Sequence, residues 1–410
     1  MTEPRFLQIH ALTSYSASLL NRDDAGFAKR IPFGGATRTR VSSQCLKRHW
    51  RVFDGEGSLR KIAAPASIRS RRSFEEYIVK PLVQEGTSQD IARAATEKLI
   101  GVLLGGDAKK AKAAKGKAKA AKGKAKDAEA TEEADESAIE TAQVTVLGRQ
   151  ELDYLATLAR EACADAKDAG SAAKAMEKCL KDKSLKQNLD ALLPGKLQAG
   201  LSAALFGRMV TGDILARTDA AIHVAHAFTV HAQQSESDYF SAIDDLAQDQ
   251  GEAGSGHINA TELTSGLFYG YVVLDLQLLG DNVGGDTAMV REVTERLLRM
   301  IATVSPGAKL GSTAPYAYSH LVMAESGRAQ PRSLANAFLK PVSTSGSVVA
   351  NAYTALRSHV DQLDNMYGCD GERAYAGIDA DGLFADTTSK MPLAELAKWA
   401  GQRAHSAIMG

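Results

Sequence analysis

The chain has 410 residues, 44% of them apolar and 6% aromatic, with 49 basic and 49 acidic side chains. This is the composition of a globular protein of two or three domains or one elaborated domain, and it excludes collagenous, wholly disordered and membrane-bundle classes. Zero net charge argues against a nucleic-acid binder only until the charge is mapped: residues 1–72 hold 14 Lys+Arg against 5 Asp+Glu, a local net of 14 − 5 = +9.

The four cysteines, Cys45, Cys163, Cys179 and Cys369, form no CxxC and lie far apart, as expected for reduced thiols and not for a disulfide framework. The N-terminal residues MTEPRFLQIH lack a basic region leading into an apolar run, and no stretch approaches 18 consecutive apolar residues. A cytoplasmic protein with no membrane partner is expected.

In chain order, Phe6–Leu12 predicts a short apolar strand and Thr13–Gly35 an irregular polar segment. Arg38–Val41 continues as a strand and gives way to a basic helix over about residues 44–53, with Ser42 or Ser43 as the N-cap. Residues 74–104 have helical periodicity that Pro81 should interrupt. From Ala108 to Ala142 a Lys/Ala/Gly block is followed by an acidic block, with no apolar side chain larger than alanine before Ile139. Such a stretch cannot bury a core and reads as a solvated, disordered insertion. Alanine-rich helices return over 150–204. Ile222–His231 and Leu267–Leu276 predict strands that flank a polar excursion, Ala232–Gly266, of a length that is usually functional. Helices are expected at 286–303, 346–366 and 391–406.

The basic helix is the first chemical candidate. Lys47, Arg48 and Arg51 lie three and four residues apart, and Lys47 and Arg51 share a face with Gln44 and Ser43 a turn earlier. A helix N-terminus with hydroxyl, amide and cationic side chains suits a run of phosphates, although a solvated amphipathic helix would look the same. Arg22, Lys29, Arg38 and Arg40 upstream favour an anionic partner. Tyr239-Phe240 in the polar excursion suits stacking on bases or anchoring of the loop to the body. Met209 beside Phe206 reads as a core-filling pair, and Lys309 in the glycine-flanked SPGAKLGS loop as a phosphate contact.

His223, His226 and His231 look like a metal set, but their surroundings are apolar and no nearby Cys completes it, so buried, hydrogen-bonded histidines are expected. Asp379-Ala-Asp-Gly echoes a calcium loop whose spacing fails, with Lys390 where the bidentate Glu belongs. Asp244-Asp245 is a weak candidate for a catalytic carboxylate pair. The chain has no P-loop, no GxGxxG after a strand, no HExxH and no GxSxG.

Several blocks resemble the CasC family, the backbone subunits of type I-E CRISPR Cascade. They are Leu19-Asn-Arg-Asp-Asp, Phe33-Gly-Gly, Arg40-Val-Ser-Ser-Gln-Cys-Leu-Lys-Arg, Leu205-Phe-Gly-Arg-Met, Asp238-Tyr-Phe-Ser-Ala-Ile-Asp-Asp, Ser265-Gly-Leu-Phe-Tyr, Ser305-Pro-Gly-Ala-Lys and Ser333-Leu-Ala-Asn-Ala-Phe. They occur in family order over nearly the whole chain; the Lys/Ala-then-acidic tract lies outside the pattern.

The resemblance implies an α+β fold: a modified RNA-recognition (ferredoxin-like) palm with a helical fingers insertion and an extended thumb hairpin. Palm segments would be residues 1–58, 205–230 and 267–410, with the last segment also carrying the C-terminal helices. The fingers would span 59–204, including the tract 108–142, and the thumb 231–266. The implied function is non-catalytic: head-to-tail copies coat a CRISPR guide RNA beside other Cascade subunits, interrupt it at regular intervals and present its bases to target DNA, with no cofactor or metal. Arg22, Lys29, Ser42, Gln44, Lys47, Arg48 and Lys309 would contact phosphate or sugar, with Arg51 beside them on the helix. Met209 would sit under kinked nucleotides, and Tyr239 and Phe240 near a displaced base.

One feature departs from ordinary RNA-recognition domains: no RNP1-like string occurs, so base stacking on the central sheet is not expected. Two other classes remain open from the residues alone, a CRISPR-associated ribonuclease and a general single-strand-binding protein.

Overall fold

The computed structural model describes residues 3–105, 138–181, 185–209, 214–215, 217–243, 255–369, 371–384 and 388–409. Its strands are β1 (Phe6–Ser18), β2 (Arg30–Phe33), β3 (Ala36–Val41), β4 (Ser67–Ser70), β5 (Thr145–Gly148), β6 (Ile222–Val224), β7 (Ala227–Thr229), β8 (Gln234–Ile243), β9 (Ser255–Asp275), β10 (Ser319–Gly327), β11 (Glu372–Gly377) and β12 (Ser389–Lys390). The helices of ten residues or more are α1 (Ser43–Val52), α2 (Gln89–Leu103), α3 (Arg149–Ala164), α4 (Ala169–Leu180), α5 (Thr287–Thr303), α6 (Val348–Tyr367) and α7 (Leu393–Met409).

The chain forms two compact units. One comprises Met1–Ile62, Ile222–Gln277 and Thr287–Gly410; the other Ala63–Ala221 and Leu278–Asp286.

The first unit is built on a ten-stranded sheet of order β12-β11-β10-β1-β9-β7-β3-β2, with β6 and β8 also pairing with β9. All its pairings are antiparallel except β11 with β12. The fold is therefore α+β on a mixed sheet. β1 lies between β9 and β10, and alternate side chains serve two layers. Leu12, Tyr269 and Met323 face a core completed by Phe338 and by Tyr353, Leu356 and Val360 of α6. On the opposite face α5 packs on α7, and both reach the central strands.

The irregular polar segment expected at Thr13–Gly35 is strand towards its two ends, over 13–18 and 30–33, and irregular between them. β1 runs on to Ser18 because its polar half finds partners, Thr13 opposite Phe268 and Tyr15 opposite Gly266. β2 and β3 form a hairpin whose ends, Phe33 and Ala36, pair across Gly34-Gly35. Both glycines have positive φ, +60° and +77°, as a two-residue type I′ turn requires. β10 and β11 were not expected at all, although both are hydrogen-bonded members of the sheet.

The second unit is mainly helical, with β4 and β5 as a small antiparallel pair. Its core joins Phe74, Ile78, Leu82, Leu99, Leu152, Leu155 and Met176. Pro81 does not interrupt the helix before it. A π-helical turn over Glu75–Val79 leads straight into the helix Lys80–Gln84, so Pro81, which has no N–H to donate, falls where the wider π turn gives way to the α-helix. The break comes instead at Gly86, with φ +98°.

Most of the low-complexity tract lies outside the described residues. Its last five residues, 138–142, do not behave as a solvated linker: Ala138 and Thr141 are buried and Ile139 packs on the helical core.

Candidate nucleic-acid interface

The region that carries most of the expected contacts begins at the hairpin edge of the sheet. Ser42 is the N-cap of α1, its Oγ accepting the Cys45 N–H at 3.3 Å, while the Ser42 N–H donates to Asn21 Oδ1 at 2.9 Å. Ser42 is thus a buried cap that fixes where the helix starts. Trp50 is buried, and Cys45 and Leu46 pack on the cluster of Leu20, Val41, Ala227 and Phe268. With that face anchored, Gln44 and Arg48 are exposed and Lys47 and Arg51 half-buried.

Arg38 corrects the sequence reading. It is fully buried, and its guanidinium donates to the carbonyls of Phe33, Thr229 and Phe338 at 3.2, 2.9 and 2.9 Å. It holds the hairpin to the core and does not belong to the cationic surface.

Arg22, Lys29, Arg40, Lys47 and Arg48 are different. Among the described residues no carboxylate lies within ion-pairing distance of any of them. Burial pushes the Lys47 ammonium below its usual range, a cost that a neighbouring anion would reverse. Two neutral groups sense the same field. Arg48 and Lys29 lower the Cys45 thiol against the stronger upward push of burial. Burial, then Arg40 and Lys29, depress His226.

The loop carrying Lys309 is fastened to this helix. The Gly307 N–H donates to His49 Nε2 at 3.3 Å and the Ala308 N–H to the Leu19 carbonyl at 2.9 Å. His49 Nδ1 lies 2.8 Å from the Cys45 carbonyl, so the proton sits on Nδ1 and leaves Nε2 free to accept. Lys309 then reaches the β8–β9 ribbon: its Nζ donates to Thr261 Oγ1 at 2.6 Å and lies 5.2 Å from the Phe240 ring centroid. Lys309 links the α1 surface to the ribbon.

Tyr239 and Phe240 are neighbours on β8, opposite Ala260 and Asn259. Successive strand residues point to opposite faces, so the two rings cannot act as one wedge. Phe240 packs beneath Lys309; Tyr239 is 66% exposed. At the ribbon's root His231 is buried and ties the segment before β8 to β9. Its Nδ1 lies 2.7 Å from the Ala232 carbonyl, and its Nε2 accepts the Leu267 N–H at 3.2 Å. Gly266 must be glycine here, because a Cβ would stand 2.8 Å from Thr229 and 2.9 Å from His231.

Met209 belongs to the second unit, apart from the other expected contacts. It is 96% exposed, so the core pairing with Phe206 does not form. The preceding Arg208 is fully buried in an ion pair with Glu151 at 2.6 Å and forms an isolated antiparallel bridge with Thr218.

Of the three histidines, only His231 is buried as expected; His223 and His226 are exposed. No group of three or more metal-binding side chains occurs among the described residues. Lys390 Nζ pairs with Asp381 at 2.6 Å in the loop that echoes a calcium site. Asp244 and Asp245 lie outside the described residues. No helix among the described residues is long and apolar enough to cross a membrane.

A family model described as "CT1975-like protein" matches residues 7–399. The chain belongs to the CT1975-like family. Among solved structures, this CT1975-like chain is similar to one from a "CRISPR RNA-guided surveillance complex, pre-nicking". That chain is 27% identical with a TM-score of 0.74, and the match covers 97% of this chain and 100% of that one. A second, from a "CRISPR RNA-guided surveillance complex", is 24% identical with a TM-score of 0.62, covering 96% of this chain and 100% of that one, and bears on the fold alone. No curated protein matches the CT1975-like chain significantly.

Sequence reasoning missed the groups that position the site, namely His49, Thr261, Asn21 and the Arg40–His226 contact. Each acts through a partner more than 20 residues away or through a backbone group, except for the i,i+4 bond of His49, whose spacing was visible.

Proposed function

We propose that the chain is a non-catalytic guide-RNA-binding backbone subunit of a CRISPR RNA-guided surveillance complex. Several copies coat the spacer head to tail and present it for base pairing with target DNA. The observation that carries this reading is the group of five cations without carboxylate partners, Arg22, Lys29, Arg40, Lys47 and Arg48, gathered around α1 and the β2–β3 hairpin. Unpaired cations held on a rigid strand and helix are a phosphate-backbone surface. The family match over residues 7–399 and the likeness to a surveillance-complex chain support a guide RNA as the ligand of this surface.

In this reading the sheet unit is a palm of modified RNA-recognition type, the helical unit the fingers, and the β8–β9 ribbon a thumb. Arg22, Lys29, Gln44, Lys47, Arg48 and Arg51 hold the guide backbone; Ser42 fixes the helix end that presents them. Lys309 contributes a cation while tying the thumb root to the grip. Tyr239 is the aromatic free to meet a base, and Met209 is an apolar contact offered by the fingers. Sequence reading is left to base pairing. Subunits meet through unlike surfaces, so growth ends where the guide or a capping subunit ends it.

The test is native mass spectrometry of the chain co-expressed with a CRISPR RNA and its partner subunits. A series of masses with several copies per RNA, thinned by Lys47→Ala/Arg48→Ala, is expected. One copy per RNA, or none, would contradict the reading.

A further inference from the structure

β6 and β7 both pair with β9, but the join between them is irregular. Val224 lies opposite Val272 and Phe228 opposite Tyr269. Four steps on one strand (228 − 224 = 4) therefore match three on the other (272 − 269 = 3). One extra residue is accommodated at Ala225–His226. Such a bulge turns a side chain out of the alternation that the sheet would impose, and here it leaves His226 exposed.

The His226 ring meets Arg40 of β3, with Arg40 Nη1 and His226 Nδ1 2.8 Å apart. A guanidinium can only donate, so Nδ1 is the acceptor and the imidazole is neutral with its proton on Nε2. Arg40 is itself aimed by its Nε, which donates to the Arg30 carbonyl at 3.1 Å, and by its own N–H, which donates to the Lys29 carbonyl at 2.8 Å. Two donors are left over: among the described residues neither His226 Nε2 nor Arg40 Nη2 has a hydrogen-bond partner. Lys29 adds a second positive group, after Arg40, near enough to bias the His226 ring. A neutral acceptor spent on a guanidinium, beside free N–H donors and a lysine, leaves the cluster with donors only. That is the complement of a phosphodiester, which offers acceptors only.

We infer that His226, set out by the β6–β7 bulge and oriented by Arg40, is a phosphate-contacting residue of the guide-RNA grip, closing with Arg40 and Lys29 on a single phosphodiester of the guide strand. The inference rests on the proposed function and adds to it a contact that lies some 180 residues from the basic segment in sequence. A surface histidine of no consequence would share neither the fixed tautomer nor the energetic dependence on Arg40.

The experiment measures guide-RNA dissociation constants, with partner subunits present and target DNA absent, for wild type, His226→Ala, Arg40→Ala and the double variant. His226→Gln and His226→Asn are measured alongside. His226→Ala should weaken binding about 3- to 10-fold, and the double variant should bind about as Arg40→Ala does, because the two groups share one phosphate. Gln places an amide N–H where Nε2 was and should recover most of the loss; Asn cannot reach and should not. Each loss of Arg40 should lower the salt slope by about one phosphate contact.

Wild-type RNA binding with His226→Ala unchanged, with additive effects, or with Gln no better than Asn would overturn this inference and leave the proposed function standing. A His226 effect seen only after target DNA is added would also overturn it, by assigning the site to the DNA strand. Failure of the wild type to bind guide RNA would overturn both.

Discussion

Six cations of the helical unit and five of the first fifty residues differ in their partners, although Arg5 and Arg30 in the latter region pair with Asp275 and Glu262. In the helical unit Arg71 and Arg72 pair with Glu140, Lys98 with Glu177, Arg149 with Asp153, Arg160 with Glu85 and Arg208 with Glu151. Around α1 and the β2–β3 hairpin, Arg22, Lys29, Arg40, Lys47 and Arg48 have no carboxylate partner among the described residues. A chain of zero net charge thus sets some cations in internal pairs and leaves a local group of five without carboxylate partners among the described residues. The difference teaches that net charge says little about anion binding, whereas the pairing state of each cation says a good deal.

The comparison is broken most severely at the buried pair. Arg208 and Glu151 are both fully buried, and Glu151 also accepts the Gly148 N–H at 2.9 Å. Glu151→Ala removes the carboxylate that neutralises a buried guanidinium and should destabilise the helical unit by about 3–5 kcal/mol. Thermal melting should show it, with Glu151→Leu/Arg208→Met recovering much of the loss. A melt unchanged in Glu151→Ala would mean that the pair does not hold this unit together.

A smaller effect is expected at the ribbon. Tyr239→Ala should weaken guide-RNA retention by about 1–3 kcal/mol if one base stacks there, without changing the melt. Equal loss from Phe240→Ala with Lys309 intact would show that the two faces of β8 are not distinct in function.

His231 sharpens the account through pH. Burial depresses its proton affinity in the fold, while the unfolded chain takes up a proton near pH 6.5. The unfolded state therefore binds more protons, and the stability of the ribbon root is lost as pH falls below about 6.5. Hydrogen exchange at Leu267 and its β8–β9 neighbours, corrected for intrinsic rates, should accelerate between pH 7.5 and 5.5. His231→Gln should remove that dependence.

The smallest effect belongs to an exposed pair, Arg149 with Asp153. Arg149→Ala should leave both RNA affinity and the melt unchanged within error, since exposed pairs contribute little.

Much of the scaffold was legible. The basic helix with Ser42 as its cap, and the helices α5, α6 and α7, follow from apolar periodicity and capping chemistry. The polar half of β1, together with β10 and β11, did not declare itself. Thr13–Ser18 has too few large apolar residues to read as a strand, and pairing with β9 makes it one, β10 reaching only as far as Thr13. Pro81 misled because a π-helical turn precedes it and the helical run continues through it.

At the site, the cationic residues were visible as composition, but their standing was not. Arg38 and Arg40 are two apart in β3 and so share the side of the strand that the alternation assigns them, yet Arg38 is fully buried on three carbonyls and Arg40 is only half-buried. Nothing local distinguishes a guanidinium that satisfies three carbonyls from one that awaits a phosphate. His226 was hidden for the same reason, since its bulge exists only relative to β9.

The most direct measurement is the salt dependence of guide-RNA binding for three proteins: wild type, Arg22→Ala/Arg40→Ala/Lys47→Ala/Arg48→Ala, and a matched Arg71→Ala/Lys98→Ala/Arg149→Ala/Arg160→Ala variant. A slope that falls by about 3 in the first variant, at roughly 0.7 per lost contact on a single strand, and stays at the wild-type value in the second is the predicted result. Equal slopes in the two variants would contradict the claim that the unpaired cations around α1 are the surface that holds the guide.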